Sequence, residues 1–255
     1  RIVAEVIAEC DFVFHLAAAV GVKKVYDDPI NAMKINITGT ENILDVCSKQ
    51  NKNVFIASSS EVYGTGVKFP FSEEDDVCFG STENLRWNYA YSKAIDEMYA
   101  LALKRDKNLK VVIGRFFNTV GPRQEGRYGM VLPNFIKAAQ RNLDLKVHGN
   151  GLQSRCFCHV EDTVKILSAI MDRFNECPTV MNIGSNYEIS ILDLAKKVIE
   201  LCSSESKIKF TPYDQVFDEN FKDLMRRVPD LDRLQKFMGG FSFQSVEKII
   251  EDMSH

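Results

Sequence analysis

The chain has 255 residues, of which 45% are hydrophobic and 26% are charged, and its formal net charge is −3. This composition is typical of a globular protein with a sizeable core, and it gives no reason to expect nucleic acid or a membrane as a partner. Because the seven cysteines lack paired C-x-x-C spacing, we expect reduced thiols and no metal site.

The first half of the chain alternates stretches typical of buried strands with stretches of helical periodicity. We predict strands at residues 11–17, 53–58 and 110–117, and helices at residues 31–50 and 86–105. Strands that alternate with helices in this way indicate a parallel sheet with crossover helices. The predicted fold class is therefore α/β, with a doubly wound parallel sheet.

The second half continues with shorter elements. We predict helices at 133–141, 161–173 and 191–203, strands at 146–148 and 180–183, and two more helices within 229–254. No linker rich in proline or glycine separates the two halves. We therefore expect residues 123–255 to form mainly a smaller α/β lobe that packs directly on residues 1–122.

Tyr89 and Lys93 lie four residues apart on the second predicted helix, so their side chains share one face of it. A neighbouring cation stabilises a phenolate, and we therefore expect Lys93 to lower the pKa of Tyr89 from its ordinary value of about 10. Such a phenol can take a proton from a hydroxyl group while hydride leaves the same carbon. The alternative is an ordinary helix pair. Tyr91 has no such partner, because Ile95 lies four residues on.

Three serines, Ser58, Ser59 and Ser60, follow directly on the second predicted strand. Hydroxyl groups at the carboxyl end of a parallel strand lie where open α/β sheets bind their ligands. Glu61 and Tyr63 come immediately behind the serines. The alternative is a serine-rich turn that bonds only its own backbone, and it does not account for an acid and a phenol at this point.

Several motifs occur in order along the chain. They are Ala17-Ala18-Ala19 after the first predicted strand, the stretch from Ser58 to Gly64, Tyr89-x-x-x-Lys93, and the stretches 115–123, 149–155 and 227–230. Together they closely resemble the NAD-dependent epimerase/dehydratase family of extended short-chain dehydrogenases, and they cover nearly the whole chain. The resemblance implies a Rossmann-like fold and an enzyme that uses NAD to modify a nucleotide sugar.

The resemblance also implies roles for individual residues. Tyr89 corresponds to the acid/base, Ser59 to the residue that hydrogen-bonds the reacting hydroxyl, and Lys93 to the residue that holds the nicotinamide ribose. The implied NAD-binding residues are His15, Leu16, Ala17, Ala18, Ala19, Asn36, Ala57, Ser58 and Phe116, together with Tyr89 and Lys93. The implied substrate-binding residues are Ser60, Asn118, Arg123, Arg155 and Arg227. For Arg155 and Arg227 the alternative is a surface ion pair.

The chain departs from the family pattern in one respect. The glycine-rich turn that meets the pyrophosphate of NAD at the first strand-to-helix junction is absent, and so is the acidic residue after the second strand. We therefore expect residues 1–122 to be a truncated NAD-binding domain, to which later segments return, that holds the nicotinamide half of NAD. The family would place about 50–60 further residues ahead of Arg1.

Glu61 is the most informative residue for the reaction. The resemblance to UDP-glucuronate decarboxylases and to 4,6-dehydratases includes an acid at this position, whereas simple 4-epimerases usually lack one. We therefore count Glu61 with the catalytic residues, and a solvated turn carboxylate is the alternative. Ser60 stands where classical dehydratases have an Asp, and Arg86-Trp87 resembles bacterial decarboxylases most. The expected reactions are, in order, UDP-glucuronate decarboxylation, 4-epimerisation of a UDP-sugar and 4,6-dehydration.

Two expectations concern the surroundings of the protein. Relatives commonly dimerise through helices that include the one carrying Tyr89, so we expect a homodimer. We find no signal peptide and no apolar stretch long enough to span a bilayer, so we expect a cytoplasmic protein. A catalytically inactive module that binds NAD or a sugar nucleotide remains the non-enzyme alternative.

Overall fold

The computed structural model describes residues 2–21, 25, 27–126, 130–212 and 224–254. In the first half, the elements are α1 (Ile2–Ala8), β1 (Phe12–His15), α2 (Pro29–Met33), a π-helical turn (Lys34–Thr38), α3 (Gly39–Lys49), β2 (Asn53–Ser59), 3-10 turns at Ser60–Tyr63 and Leu85–Trp87, α4 (Asn88–Lys107) and β3 (Val111–Phe116). The predicted alternation of strands and helices is confirmed for this half.

The second half is built from shorter elements. They are β4 (Thr119–Val120), α5 (Val131–Ala139), β5 (Leu145–His148), β6 (Ser154–Cys156), β7 (Cys158–His159), α6 (Val160–Asp172), a 3-10 turn (Phe174–Glu176), β8 (Val180–Ile183), β9 (Glu188–Ser190), α7 (Ile191–Leu201), β10 (Ile208–Thr211), α8 (Asp232–Met238) and α9 (Val246–Ser254). The helices begin and end within a few residues of their predicted limits.

The central sheet has the strand order β1-β2-β3-β8, and all its pairs are parallel. Its middle strands are buried on both faces, since Val54, Phe55 and Ile56 of β2 are almost inaccessible to solvent. Helices α3 and α4 bury Leu44 and Leu103 on one face of the sheet. On the other face, α6 and α8 bury side chains against β3 and β8. The predicted doubly wound parallel sheet is therefore confirmed.

A second core lies among α5, α7, α9 and β5. It contains Leu132, Phe135, Leu145, Val147, Leu194, Val198, Ile249 and Ile250, each almost or completely buried. In contrast, β8 of the second half belongs to the central sheet, and α6 and α8 pack on that sheet. The division of the chain at residues 122 and 123 stays a prediction.

Two features of the described ranges bear on partners and ligands. No helix in them combines the length and the apolarity that crossing a bilayer requires. Nor do they contain a group of three or more His, Cys, Asp or Glu side chains arranged to hold a metal ion.

Candidate active site

The site begins at the carboxyl end of β2, where Ser58 and Ser59 pair with Arg115 and Phe116 of β3. Successive side chains of a strand point to opposite faces, so the two hydroxyls have different surroundings. Ser58 is buried and donates to Glu97. Ser59 accepts a hydrogen bond from the backbone N–H of the residue two positions on, at 3.2 Å, and so caps the 3-10 turn that follows β2.

Tyr89 lies in the first turn of α4, beside Ser59 and Glu61. Burial and the carboxylate of Glu61 raise the pKa of its phenol to about 12, and the hydroxyl of Ser59 acts to lower it. The expectation that Lys93 lowers the pKa of Tyr89 below its ordinary value is therefore wrong. The physical reason is, first, that burial disfavours the charged phenolate; the carboxylates of Glu61 and Asp96 act in the same direction, and Arg227 opposes them.

Lys93 directs its ammonium group to Asp96, with Nζ 3.1 Å from Oδ2. Both side chains are only 3% exposed. Burial raises the pKa of Asp96 to about 6, although Lys93 and the Thr40 hydroxyl act to lower it. The lysine is thus held inside the protein by a carboxylate that the sequence analysis did not identify.

Glu61 lies between two arginines. Arg86 donates from Nη1 to Oε2 at 2.8 Å, and Arg227 donates from Nη2 to Oε1 at 2.6 Å. Burial acts to raise the pKa of the carboxyl, but the two guanidinium groups outweigh it and hold the pKa at about 2. Glu61 is therefore a fixed anion at neutral pH, and the cluster of Glu61, Arg86 and Arg227 carries one net positive charge beside Tyr89.

The loop after β1 provides the other wall of the site. His15 ends β1, and its Nε2 lies 3.1 Å from the hydroxyl of Thr40 on α3. Burial and the nearby Lys93 lower the pKa of His15 to about 4, so its ring is neutral at pH 7. Leu16 and Ala17 are exposed, Ala18 is half-buried and Ala19 is buried.

Asn36 ties this loop to α4. Its Oδ1 accepts from the backbone N–H of Ala19 at 2.7 Å, and its Nδ2 donates to the carbonyl of Ala19 and to the hydroxyl of Ser92, both at 3.3 Å. Asn36 lies in the π-helical turn, an irregularity that frequently marks functional sites. Both hydrogens of the Asn36 amide are used within the protein, so in this structure the residue shapes the loop.

A buried network supports the floor of the site. Arg115 binds both carboxylate oxygens of Glu97, with the shortest contact at 2.8 Å, and stacks its guanidinium group 4.7 Å above the ring of Tyr63. The phenol of Tyr63 donates to Asn182 on β8 at 2.6 Å. The sequence analysis missed Glu97 and Arg115. The sequence could have indicated this pair, since Arg115 is a charged residue within the apolar stretch 111–116 and therefore needs a buried partner.

The remaining predicted residues occupy several places. Asn118 donates to the carbonyl of Cys156 at 2.8 Å, and Arg155 donates to the carbonyls of Ser154 and Leu224. Arg123 lines a cavity of about 420 Å³ between the loop 121–126 and α5. Ser60 is buried in the 3-10 turn, and Ala57 and Phe116 are half-buried at the ends of β2 and β3. The structure thus brings Ser59, Glu61, Tyr89 and Arg227 together and places Arg123 in a separate cavity.

The residues present fit one half of NAD. Lys93 offers a cation, the buried Oδ1 of Asp96 has no hydrogen-bond partner among the described residues, and the loop after β1 carries the small side chains Ala17 and Ala18, the first exposed and the second half-buried. These groups suit a ribose and a flat ring. The sequence contains no Gly-x-Gly-x-x-Gly turn that could meet the pyrophosphate.

Comparisons with known proteins agree with this geometry. The family model of the NAD dependent epimerase/dehydratase family matches residues 1–184. A UDP-N-acetyl-alpha-D-glucosaminuronate decarboxylase of Bacillus cytotoxicus is 41% identical over 233 residues, which cover 91% of this chain and 72% of that protein. UDP-glucuronic acid decarboxylase 1 of Xenopus tropicalis is 32% identical over 91% of this chain, which spans only 53% of that relative.

Solved structures agree as well. A UDP-N-acetylglucosamine 4-epimerase from Methanobrevibacter ruminantium, in complex with UDP-N-acetylmuramic acid, is 25% identical and superposes with a TM-score of 0.87 over 100% of this chain and 78% of that one. The comparisons confirm the predicted family resemblance, the α/β fold, the enzymatic class and the dependence on NAD. The chain belongs to the NAD dependent epimerase/dehydratase family.

Proposed function

We propose that the protein is an NAD-dependent decarboxylase of a UDP-linked uronic acid. The observation that carries this proposal is the pair of guanidinium groups, Arg86 and Arg227, that surround Glu61 beside Tyr89. Two guanidinium groups side by side suit a substrate that carries a carboxylate, because each offers several donors in a planar fork. The names of the two decarboxylases described above, which act on uronic acid derivatives, support the same assignment.

The first step is the oxidation of the sugar at C4. NAD, when bound, supplies the hydride acceptor. Tyr89 takes the proton of the C4 hydroxyl, and Ser59 lies beside the phenol to hydrogen-bond that hydroxyl. Because burial and Glu61 hold the pKa of the phenol at about 12, its action as a base requires positive charge beside it.

The second step is the loss of carbon dioxide. Oxidation at C4 turns the sugar carboxylate into a β-keto acid, whose C5–carboxylate bond breaks with its electron pair passing to the C4 carbonyl. Arg86 and Arg227 orient the carboxylate before this bond breaks. A proton from water then adds at C5, the C4 carbonyl takes the hydride back, and Tyr89 returns its proton to the C4 oxygen. Glu61 keeps the two arginines in place and carries no proton in this scheme.

The product mass tests the proposal. Purified protein is incubated with NAD and UDP-glucuronate, and in parallel with its N-acetylglucosamine analogue, and the sugar nucleotide is weighed by mass spectrometry. A product lighter by carbon dioxide is the expected result. A product of unchanged mass but altered chromatographic position would contradict the proposal and establish a 4-epimerase. Bound NAD without turnover would instead favour a non-catalytic binding module.

A matched pair of arginine variants tests the substrate assignment. Arg86→Gln should raise KM for the uronate substrate by about 10–100-fold, because one charge-assisted hydrogen bond is lost. Arg226→Gln is the control, since Arg226 is exposed and binds Glu188 at 2.8 Å. Equal KM values for the two variants would contradict the role of Arg86.

We also propose that the protein forms a homodimer through α4. Ile95, Met98 and Leu101 lie on one face of this helix and are 43%, 71% and 39% exposed. Exposed apolar side chains on one helix face are typical of a subunit contact. Met98→Glu should convert a dimer to a monomer in light scattering, and a wild-type monomer would contradict the assignment. The cytoplasmic location stays a prediction.

A further inference from the structure

One face of α4 runs from the candidate site into the core. Tyr89, Lys93 and Asp96 occupy positions i, i+4 and i+7, so they lie in a row along this face. Ala100 and Leu103 continue the row and are buried. Asp96 is therefore a carboxylate one turn beyond the reacting pair, and neither step proposed above uses it.

Burying this carboxylate is costly. Asp96 is 3% exposed, and its Oδ1 has no hydrogen-bond partner within the described ranges. A buried anion with an unsatisfied oxygen persists only when a nearby charge compensates for the lost hydration. Lys93, 3.1 Å away on the same helix, supplies that charge.

The other groups around Asp96 do not take over this task. Glu97 is its neighbour on α4 and is itself an anion, bound to Arg115. Thr40 on α3 contributes a neutral hydroxyl, and His15 on β1 contacts that hydroxyl with a ring that is neutral at pH 7. The charge of Asp96 is thus coupled to Lys93.

We propose that Asp96 is a positioning residue that holds the ammonium group of Lys93 and offsets its charge, so that it sets the electrostatic field at Tyr89. The inference rests on the proposed function only in taking Tyr89 and Lys93 as the reacting pair. With Asp96 ionised, the phenol keeps a high pKa, to which Asp96 itself contributes. A phenol held in this way favours the return of the proton to the sugar over its removal.

The charge at Asp96 also titrates in an accessible range. Its pKa is raised to about 6, so the carboxylate is ionised at pH 7 and becomes neutral on mild acidification. Below that pH the negative charge of Asp96 no longer acts on the phenol of Tyr89. The other charged groups that act on the phenol are Glu61, which stays an anion because its pKa is about 2, and Arg227, which stays a cation.

The test reads the phenol directly. A fluorinated tyrosine is placed at position 89, so that its lower intrinsic pKa brings the titration into the range where the protein is folded. Its titration is followed by fluorine NMR in the otherwise unchanged chain and in Asp96→Asn. The expected result is a midpoint lower by about one pH unit in Asp96→Asn, because one negative charge near the phenol is removed.

Two further variants keep the test decisive. Asp162→Asn makes the same chemical change at a buried Asp of α6 that pairs with Lys165, and it should leave the midpoint unchanged. Lys93→Gln should raise the midpoint, and the double variant Lys93→Gln/Asp96→Asn should return it close to the starting value. If Asp96→Asn fails to fold, the titration midpoint of the double variant is compared with that of Lys93→Gln, and a lower midpoint in the double variant supports the inference.

An unchanged or higher midpoint in Asp96→Asn, or in the double variant relative to Lys93→Gln, would overturn the inference. The measurement needs neither NAD nor a sugar. A negative result would therefore leave the decarboxylase proposal standing, and a failed decarboxylase assay would leave this result valid.

Discussion

Ser58 and Ser59 are adjacent on β2, yet Ser58 donates its hydroxyl hydrogen to the buried Glu97 whereas Ser59 turns its hydroxyl to the 3-10 turn and Tyr89. The alternation of a β-strand produces this difference. One serine belongs to the charged network of the core and its neighbour belongs to the site.

The two serines should therefore respond differently to the same substitution. Ser59→Ala should lower turnover by about 10–100-fold, because a hydrogen bond to the reacting group is lost, and should lower the free energy of unfolding by about 0.5–2 kcal/mol, because the cap of the 3-10 turn is lost. Ser58→Ala should lower the free energy of unfolding by about 1–3 kcal/mol, since Glu97 loses a buried donor. Urea unfolding and turnover measured on both variants check the pair, and equal effects on turnover would contradict the division.

Tyr89 and Tyr91 form a second matched pair. Tyr89→Phe should lower turnover by about 10²–10⁴-fold, the contribution of one acid/base group. Tyr91→Phe should leave turnover close to wild type, because the phenol of Tyr91 donates to the carbonyl of Gly80 at 3.2 Å. Comparable losses of turnover in the two variants would show that the removal of any phenol from this helix perturbs the site.

The pKa of Glu61 makes stability depend on pH. Because folding lowers this pKa from 4.5 to about 2, the unfolded chain binds the proton more tightly between these values. The stabilisation is complete above pH 4.5 and is lost as the pH falls towards 2. It amounts to about 3 kcal/mol, from about 1.4 kcal/mol for each pKa unit.

Glu61→Gln should remove this dependence. At pH 7 the variant should be less stable by about 3 kcal/mol, because Arg86 and Arg227 are left buried beside a neutral group. The difference between the variant and the wild type should shrink as the pH falls to 3, and urea unfolding across this range measures it. A constant difference between pH 7 and pH 3 would show that the carboxyl titrates normally.

Asn36 should control the order of the loop after β1. Asn36→Ala removes the bonds to both backbone groups of Ala19, so the amide of Ala19 should exchange its hydrogen faster by at least about tenfold, the equivalent of one lost hydrogen bond. Asn134→Ala is the control, because Asn134 is exposed and donates to the carbonyl of Gly126. Hydrogen exchange followed by NMR at Ala19 distinguishes the two variants.

The spacing of apolar residues in the sequence was sufficient to predict the central sheet and the helices beside it. The buried strand around Val54 and Phe55, and the helical periodicity of residues 31–50, follow directly from the spacing of apolar side chains. The short strands β4, β6, β7 and β9 were not predicted, since two or three residues carry too little periodicity. Strand β10, with four residues, and helix α1, with seven, were not predicted either.

The structure brings several of the predicted site residues together, but the charge pairings around them were not predicted from the sequence. Ser59, Tyr89 and Arg227 are brought together, as their motifs indicated. The pairing of Lys93 with Asp96 was missed, because a helix offers a lysine several neighbours and spacing alone does not decide which one it binds. The ion pair between Arg86 and Glu61 joins two segments that are far apart in sequence, so no local sequence pattern predicts it.

The π-helical turn at Lys34–Thr38 holds one residue more than a regular turn would. A deletion of one residue here would let α2 and α3 merge into a single uninterrupted helix and would rotate α2 by about 100° relative to α3. The carbonyl of Pro29 would then lose the side chain of Asn88 on α4, which donates to it at 3.0 Å. A shorter and more regular helix would therefore lose this contact between α2 and α4, the helix that carries Tyr89.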